Sequence, residues 1–183
     1  MKNWLLFFIV LIVTYSTAAA QKFYTKNGSV SFFSSTKLED IKADNNQVVS
    51  VLNAQTGELQ FSALIKSFHF KKALMEEHFN ENYLESDKYP KSTFKGTIAD
   101  ISKVTFSKDG SYPVNVSGDL TIHGVTQKIN TTGTITVKAG VPSASSKFKI
   151  KLADYKVSTP NVVSNNISET IEITVSCEYN QKM

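Results

Sequence analysis

Apolar and polar residues alternate with a period of two through most of the chain after residue 28. Residues 58–65 show this most clearly, because Leu59, Phe61, Ala63 and Ile65 would lie on one face of an extended strand. The same pattern predicts strands at residues 29–32, 47–52, 58–65, 92–99, 112–122, 126–137, 148–152 and 169–178. Several of these exceed the usual length of five or six residues, which favours a closed antiparallel barrel over a sandwich.

Turn signals separate the predicted strands. Lys108-Asp109-Gly110 is predicted to be a hairpin turn of the Asp-Gly type, and His123-Gly124 is predicted to join two long strands. Residues 141–146, with the sequence Val-Pro-Ser-Ala-Ser-Ser, are predicted to form a loop. At residues 67–70 the apolar positions change from odd to even numbers. This change predicts a bulge or the end of a strand, because a shift of one residue exchanges the two faces.

Residues 71–80 are predicted to form the single helix, with Leu74, Met75, His78 and Phe79 recurring at three- and four-residue spacing. The segment around this helix carries an excess of large apolar side chains: Phe68, Phe70, Leu74, Met75, Phe79, Tyr83, Leu84, Tyr89 and Phe94. A narrow barrel cannot bury all of them centrally, since each aromatic side chain removes about 150–250 Å² from water. Such a segment either plugs the barrel or walls an apolar cavity, and the outcome decides the function. Because the barrel cannot hold all these side chains centrally, we expect some of them to line a cavity or its mouth.

The N-terminal residues 1–20 are predicted to be a secretory signal peptide. Lys2 supplies positive charge, residues 4–13 are apolar, and Ala18-Ala19-Ala20 forms a cleavage pattern before Gln21. The apolar run is too short to span a bilayer, which needs about 20 residues as a helix. We therefore expect a periplasmic or secreted protein without stable membrane insertion, with one domain over residues 21–183.

The composition argues against several classes of function. The basic residues are all lysine, so no bidentate arginine is present to grip phosphate or guanine, and nucleic-acid binding is not expected. Cys177 is the only cysteine, which excludes an internal disulfide, and its strand register predicts a buried position.

The candidate groups for metal binding or catalysis are poorly arranged. His69, His78 and His123 include no pair four residues apart and no HExxH motif, so no metal site is predicted. Glu76 and Glu77 are adjacent on the helix and would point about 100° apart, which prevents them from forming an acid–base pair. No Gly-x-Ser-x-Gly motif occurs. We therefore predict no catalytic residues, no metal and no cofactor.

Three segments carry a shared family pattern. The first has Leu74, Phe79 and Leu84 followed by K-Y-P-x-x-x-F at residues 88–94. The second is V-S-G-D-L-T-I-H-G-V-T at residues 116–126, and the third combines F-x-I at residues 148–150 with I-x-I-x-V at residues 171–175. Together they resemble the YceI-like family of exported lipid- or polyisoprenoid-binding barrels, from about residue 28 to the C-terminus.

The resemblance implies an all-β fold, an eight-stranded antiparallel lipocalin-like barrel with one short helix. Such a barrel would hold a long apolar or amphiphilic molecule lengthwise, such as an isoprenoid quinone, a polyprenyl phosphate or a fatty-acyl chain. The chain departs from the family between Phe33 and Gln47, where Leu38-Glu39-Asp40-Ile41 replaces a longer hairpin that helps to close one barrel mouth. This departure bears on cavity length, and therefore on ligand class.

The predicted function is non-enzymatic binding or carriage of a long isoprenoid or lipid ligand in the cell envelope. The candidate ligand-binding residues, taken from inward registers, are Phe61, Ile65, Phe68, Phe70, Leu74, Phe79, Tyr83, Phe94, Ile98, Phe148 and Ile150. A neutral head group is expected more than a pyrophosphate, because lysine contacts are weak and screened by salt. The lysines that could contact a head group are Lys71, Lys72, Lys88 and Lys91.

Two alternatives from other classes are left open. A structural or interaction barrel would be filled by its own side chains and would leave a cavity below about 100 Å³, well under the size of ligand pockets. An enzyme acting on a lipid would need a set of three polar groups at the cavity mouth, with His69 or His78 as the base. A homodimer is also left open.

Overall fold

The computed structural model describes residues 21–160 and 165–182. Its strands are β1 (Lys22–Ser35), β2 (Asp40–Asn53), β3 (Glu58–Leu64), β4 (His69–Phe70), β5 (Lys91–Ile98), β6 (Gly110–Ile122), β7 (Val125–Lys138), β8 (Val141–Lys151), β9 (Thr170–Glu178) and β10 (Gln181–Lys182). The predicted signal peptide, residues 1–20, lies outside the described residues. No helix in the described ranges is long and apolar enough to cross a membrane.

Eight of these strands close into an antiparallel barrel. They pair in the order β1-β2-β3-β5-β6-β7-β8-β9, and β1 closes the ring by pairing with both β2 and β9. The two-residue strands β4 and β10 add to β2 and β1, respectively. The predicted eight-stranded antiparallel, lipocalin-like barrel with one short helix is confirmed.

The first two strands are longer than predicted. They begin at Lys22 and Asp40 instead of at residues 29 and 47, because the two strands pair with each other along their whole length, from Lys22 opposite Asn53 to Ser35 opposite Asp40. A register shift on both sides of Gly28 lets them bend around the barrel. The turn between them is tight, since the Thr36 hydroxyl accepts hydrogen bonds from the backbone N–H groups of Leu38 and Glu39, each at 3.2 Å.

The prediction of a loop at residues 141–146 is wrong, because these residues begin β8. Ser143 pairs with Thr136 of β7 on one side and with Glu178 of β9 on the other. Pairing on both sides outweighs the low strand propensity of serine and proline, which depends strongly on context.

The predicted tight hairpin at Lys108-Asp109-Gly110 is also wrong. The connection between β5 and β6 spans residues 99–109 and contains a 3₁₀ turn at Ile101–Lys103. Asp109 instead accepts a hydrogen bond from the backbone N–H of Ala139, at 2.8 Å, in the neighbouring β7–β8 turn. The connection is long because its apolar side chains enter the barrel. In contrast, the predicted turn at His123-Gly124 joins β6 to β7, and both residues have positive φ.

The predicted helix over residues 71–80 is shorter in the structure. Helix α1 spans Ala73–His78 and continues into a π-helical turn at Phe79–Tyr83. Helix α1 begins at Ala73 because the backbone of Lys72 is extended. Just before the helix, the backbone N–H of Phe70 donates a hydrogen bond to the Glu76 carboxylate at 3.1 Å. Strand β3 ends at Leu64, as the change of apolar register predicted.

The two ends of the barrel differ. At the end that we call the filled end, the β5–β6 connection brings Ile101, Val104 and Phe106 against the barrel interior. Phe23 and Leu52 are fully buried there, and the Phe23 ring stacks on Phe106 with centroids 5.5 Å apart. The opposite end, the helix end, carries the β1–β2 turn, residues 65–90 with α1, the β6–β7 turn and the segment after β8.

Candidate functional site

A cavity of about 520 Å³ occupies the barrel from its middle to the helix end. All eight barrel strands contribute side chains to its wall, and α1 with its π-helical turn contributes the rest of one side. Along β6 the lining extends from Val114 to Ile122, which is about 25 Å of strand. The volume falls within the range of natural small-molecule pockets, about 300–1,000 Å³.

The middle of the cavity is open because two glycines face each other across β5 and β6. Gly96 and Gly118 are register partners, and the Phe94 ring lies against both. A Cβ atom added at Gly96 would come within 2.5 Å of Phe94 Cζ, and one at Gly118 within 2.7 Å. The glycines therefore let the Phe94 ring lie along the wall, so that this large side chain lines the cavity and leaves its centre free.

Aromatic residues form the wall beneath the helix. The Phe79 ring from the π-helical turn contacts Phe32, Phe68 and Phe70, with centroid distances of 5.4, 5.6 and 5.0 Å. These contacts attach α1 to β1 and β4, because offset and edge-on aromatic pairs add to the stabilisation from burial. The aromatic surplus of this segment thus walls a cavity, as the predicted function requires, and does not plug the barrel.

All eleven sequence-predicted wall residues line this one cavity: Phe61, Ile65, Phe68, Phe70, Leu74, Phe79, Tyr83, Phe94, Ile98, Phe148 and Ile150. Leu74 is the outlying member, 60% exposed on the outer part of α1. Their role in binding a ligand stays a prediction.

Sequence reasoning missed about twice as many apolar wall residues as it named. The missed set includes Val30, Phe32, Ile41, Leu120, Ile122, Ile129, Tyr155, Val157, Ile171, Ile173 and Val175. Seven of the eleven residues just listed lie in the alternating strands β1, β6 and β9, so a complete reading of inward registers would have found those seven. Tyr155 and Val157 follow β8 in a 3₁₀ turn and the loop after it, where periodicity carries no signal.

The cavity mouth at the helix end is polar. Glu39 Oε1 lies 2.8 Å from Lys72 Nζ, and the Asn166 side-chain amide donates a hydrogen bond to Glu39 Oε2 at 3.2 Å. These two contacts, the one with Lys72 first, hold the pKa of Glu39 below its usual value. His78 and Thr159 complete the polar lining near this point. The mouth therefore presents a nearly charge-balanced set of hydrogen-bonding groups.

The four lysines proposed for head-group contacts do not converge on the mouth. Lys72 is paired with Glu39, whereas the Lys88 ammonium lies over the Tyr89 ring, 4.9 Å from its centroid. Lys71 and Lys91 are exposed and are not part of the cavity lining. No concentration of positive charge therefore marks a phosphate site among these lysines.

A contact between two turns holds the helix segment against the barrel. His123 Nε2 lies 2.6 Å from Glu85 Oε2, and His123 Nδ1 lies 3.3 Å from the Tyr155 backbone oxygen. The Tyr89 ring packs edge-on against the His123 imidazole at 4.8 Å. His123 and Glu85 both have positive φ, so each turn is shaped to make this contact. The residues between α1 and β5 are thereby fixed to the β6–β7 hairpin.

The remaining candidate groups are dispersed. His69 is exposed, with Nδ1 3.6 Å from Glu76 Oε2, and lies outside the cavity lining, whereas His78 is an exposed residue of α1 at the cavity mouth. Cys177 is buried at the filled end, where burial raises the pKa of its thiol to about 12. Within residues 21–160 and 165–182, no three His, Cys, Asp or Glu side chains are placed to hold a metal ion.

The profile of the YceI-like domain matches residues 13–179, which is most of the chain. The chain belongs to the YceI-like family. No protein of the curated collections matches it significantly.

Solved structures share the YceI-like fold at low sequence identity. A polyisoprenoid-binding domain from Saccharophagus degradans, implicated in plant cell wall breakdown, superposes with a TM-score of 0.75 at 19% identity, covering 87% of this chain and 97% of that domain. BcnA of Burkholderia cenocepacia gives a TM-score of 0.71 at 16% identity, over 84% of this chain and 96% of its own. The Campylobacter jejuni YceI protein gives 0.56 at 20% identity, with both chains fully covered. At these identities the likeness establishes the fold alone.

Proposed function

We propose that this protein binds or carries a long apolar or amphiphilic molecule without transforming it. The observation that carries the proposal is the cavity of about 520 Å³, walled by apolar side chains from every barrel strand. The polyisoprenoid-binding domain from Saccharophagus degradans has the same fold, which supports a ligand of this class. The ligand would be an isoprenoid quinone, a polyprenyl chain or a fatty-acyl chain.

The driving force is the removal of the ligand chain from water. Each buried CH₂ group contributes about 0.8 kcal/mol, so affinity should rise about fourfold for each added carbon until the chain fills the cavity. The tail would extend toward Leu59, Ile98 and Ile135 in the barrel middle, with the polar part near Glu39 and Lys72. A neutral head group fits this mouth, because Lys72 already pairs with the Glu39 carboxylate.

The volume of the cavity argues against a barrel that is filled by its own side chains. That alternative requires less than about 100 Å³ of free space, and the cavity holds about 520 Å³. An enzyme acting on a lipid would need His69 or His78 as its base, but His69 is exposed outside the cavity lining, and His78 is an exposed residue at the cavity mouth. The proposal also places the protein in the periplasm or outside the cell, with residues 1–20 removed on export, as the N-terminal sequence predicts.

Native mass spectrometry of the protein purified gently from its own host tests the proposal, together with lipid extraction. We expect a bound isoprenoid or acyl lipid in the wild-type protein. The Ile150→Trp variant, which places a larger side chain in the cavity, should retain less than a tenth of that lipid. The matched control is Lys149→Trp, because residue 149 lies on the outer face of the same strand.

The control should retain the wild-type amount of lipid. A ligand-free mass in every gentle preparation, with no isoprenoid or lipid in the extract, would refute the proposed function.

A further inference from the structure

His123 joins three segments that wall the cavity at the helix end. Its Nε2 atom lies 2.6 Å from Glu85 Oε2, and its Nδ1 atom lies 3.3 Å from the Tyr155 backbone oxygen. Each of the three segments places a cavity-lining side chain at or next to this contact, namely Ile122, Leu84 and Tyr155. A change in the contact therefore changes how the cavity wall is held.

The contact contains one proton more than a neutral histidine and an ionised carboxylate supply. A backbone oxygen only accepts hydrogen bonds, so His123 Nδ1 carries a hydrogen and donates it to Tyr155. In a neutral imidazole, Nε2 would then direct a lone pair at the Glu85 carboxylate, which is also an acceptor. Two acceptors do not lie 2.6 Å apart without a hydrogen between them, because only a hydrogen bond offsets their repulsion. The geometry therefore requires a further proton, shared by His123 and Glu85.

The titratable groups around His123 lie on two packed segments. They are Glu85, Asp87, Lys88 and Tyr89 before β5, and Asp154, Tyr155 and Lys156 after β8. Asp87 is paired with Lys66 at 2.6 Å, whereas Asp154 and Lys156 carry opposite charges. The β6–β7 turn adds no charge besides His123 itself, and tyrosine is uncharged near neutral pH. Glu85 and Lys88 are therefore the charges that act on His123.

The Lys88 ammonium favours an ionised Glu85. Hydrogen bonding to Tyr89, and then the charge of Glu85, raises the pKa of Lys88. The same attraction stabilises the Glu85 carboxylate, so the shared proton belongs on His123 as an imidazolium. The side chain of His123 is only 13% exposed, so water cannot easily replace either of its partners.

The other histidine–glutamate pair offers an internal comparison. His69 Nδ1 lies 3.6 Å from Glu76 Oε2, too far for a hydrogen bond, and the His69 side chain is 69% exposed. The Glu76 carboxylate accepts its hydrogen bond from the backbone N–H of Phe70 instead. Loss of a proton from His69 therefore breaks no contact that holds the cavity wall.

We propose that the proton shared by His123 and Glu85 controls how firmly the cavity wall is closed, so that the bound long-chain molecule is held at acidic pH and exchanges faster once the proton is lost. Loss of the proton leaves an ionised carboxylate facing an imidazole lone pair, and the helix segment then separates from the β6–β7 hairpin. Histidine changes its charge between about pH 5 and pH 8 in most environments, which places the transition in an accessible range. This inference rests on the proposed function and deepens it, because it assigns a regulation to the same cavity.

The test measures how fast a neutral long-chain probe leaves the purified, lipid-extracted protein. The probe is methyl cis-parinarate, whose fluorescence falls on release, and excess unlabelled methyl palmitate prevents rebinding in a stopped-flow experiment. In the wild type, release at about pH 8.5 should be about tenfold faster than at about pH 5.5, as expected for the loss of one charge-assisted hydrogen bond. The matched control, His69→Asn, should keep the full pH dependence.

Two substitutions at the contact should remove the pH dependence in opposite directions. In Glu85→Gln the side-chain amide can donate to Nε2 of a neutral imidazole, so the contact no longer needs the shared proton. Release from this variant should be slow at both pH values. In His123→Asn the shorter side chain cannot bridge Glu85 and Tyr155, although asparagine tolerates the positive φ of this position. Release from this variant should be fast at both pH values.

Three results would overturn the inference while leaving the proposed function intact. They are a wild-type release rate that does not change with pH, a Glu85→Gln variant that keeps the pH dependence, and a His69→Asn variant that loses it. Glu85→Gln decides the question by itself if His123→Asn does not fold. If the wild type binds the probe at neither pH, the proposed function fails and the inference fails with it.

Discussion

The filled end and the helix end of this barrel are built by the same alternation of inward and outward residues, yet only one of them is closed by packing. At the filled end, Phe23 and Leu52 meet side chains from the β5–β6 connection. At the helix end, Phe79 and its neighbours form a wall and leave the axis free. The difference shows that the connections, more than the strands, decide whether a small barrel is a core or a container.

The glycine pair in the middle marks the boundary between the two regions. Gly96 and Gly118 allow the Phe94 ring to lie flat on the wall, where it packs both against the core of the filled end and against the apolar cluster around Leu120 and Ile150 nearer the helix end. On the helix-end side of this pair, the Tyr155 hydroxyl has no hydrogen-bond partner among the described residues. On the filled-end side, the Tyr179 hydroxyl is hydrogen-bonded to Ser50. The polar groups therefore follow the same division as the packing.

The largest expected effect comes from truncating one phenylalanine in each region. Phe23→Ala should lower the free energy of unfolding by about 3–5 kcal/mol, because Phe23 is fully buried and stacked on Phe106. Phe148→Ala should lower it by about half as much, because one side of Phe148 faces the cavity and has fewer contacts to lose. Urea unfolding of lipid-extracted protein measures both values. The slope of the free energy of unfolding against urea concentration is compared between the variants, because an unchanged slope shows that only stability has changed.

Equal losses in the two variants would contradict the comparison. They would mean that the helix end is packed as closely in solution as the filled end.

A smaller effect concerns the dependence of stability on pH. Burial raises the pKa of the Cys177 thiol from 9.0 to about 12, so the folded protein keeps this proton after the unfolded chain has released it. The contribution of this group to stability is complete below pH 9 and is lost as the pH rises from 9 toward 12. The free energy of unfolding should therefore fall by about 1 kcal/mol per pH unit above pH 9.

The measurement is the urea midpoint between pH 8 and pH 9.5, where the tyrosines of the unfolded chain, with pKa values of about 10, are still mostly protonated. The Cys177→Ala variant is the matched control and should show a shallower decline. An equally steep decline in that variant would show that the filled end does not exclude water from the thiol.

The smallest expected effect is that of salt on ligand binding. The affinity for a neutral long-chain ligand should change less than about twofold between about 20 mM and about 300 mM NaCl, because no lysine needs to contact its head group. Lys72→Gln should behave like the wild type in this respect, since Lys72 is paired with Glu39. Fluorescence titration measures the affinities.

An affinity for a polyprenyl phosphate that collapses tenfold or more over the same range would contradict this prediction. It would show that the lysines at the helix end bind a charged head group.

Much of the fold could be read from the chain before the structure was known. The alternation at residues 58–65 and 112–137 gave the correct strands, and the motifs at residues 88–94 and 116–126 indicated the right family. Two strand segments were missed, at the start of β1 and at residues 141–146, where most of the residues are polar or small. Those segments are strands because neighbouring strands pair with them, and local sequence carries little information about such partners.

The sequence by itself determined which side chains face inward, because the period of a strand is a local property of the backbone. Inward registers and the helix segment were therefore enough to name eleven residues that share one cavity wall. Only the tertiary structure decided that the space between them is open. Free volume is a small difference between the size of the barrel and the summed volume of its contents, and it depends on contacts between distant segments. The Phe94 ring over Gly96 and Gly118, the Phe79 ring against β1, and the unmatched hydroxyl of Tyr155 are all contacts of that kind.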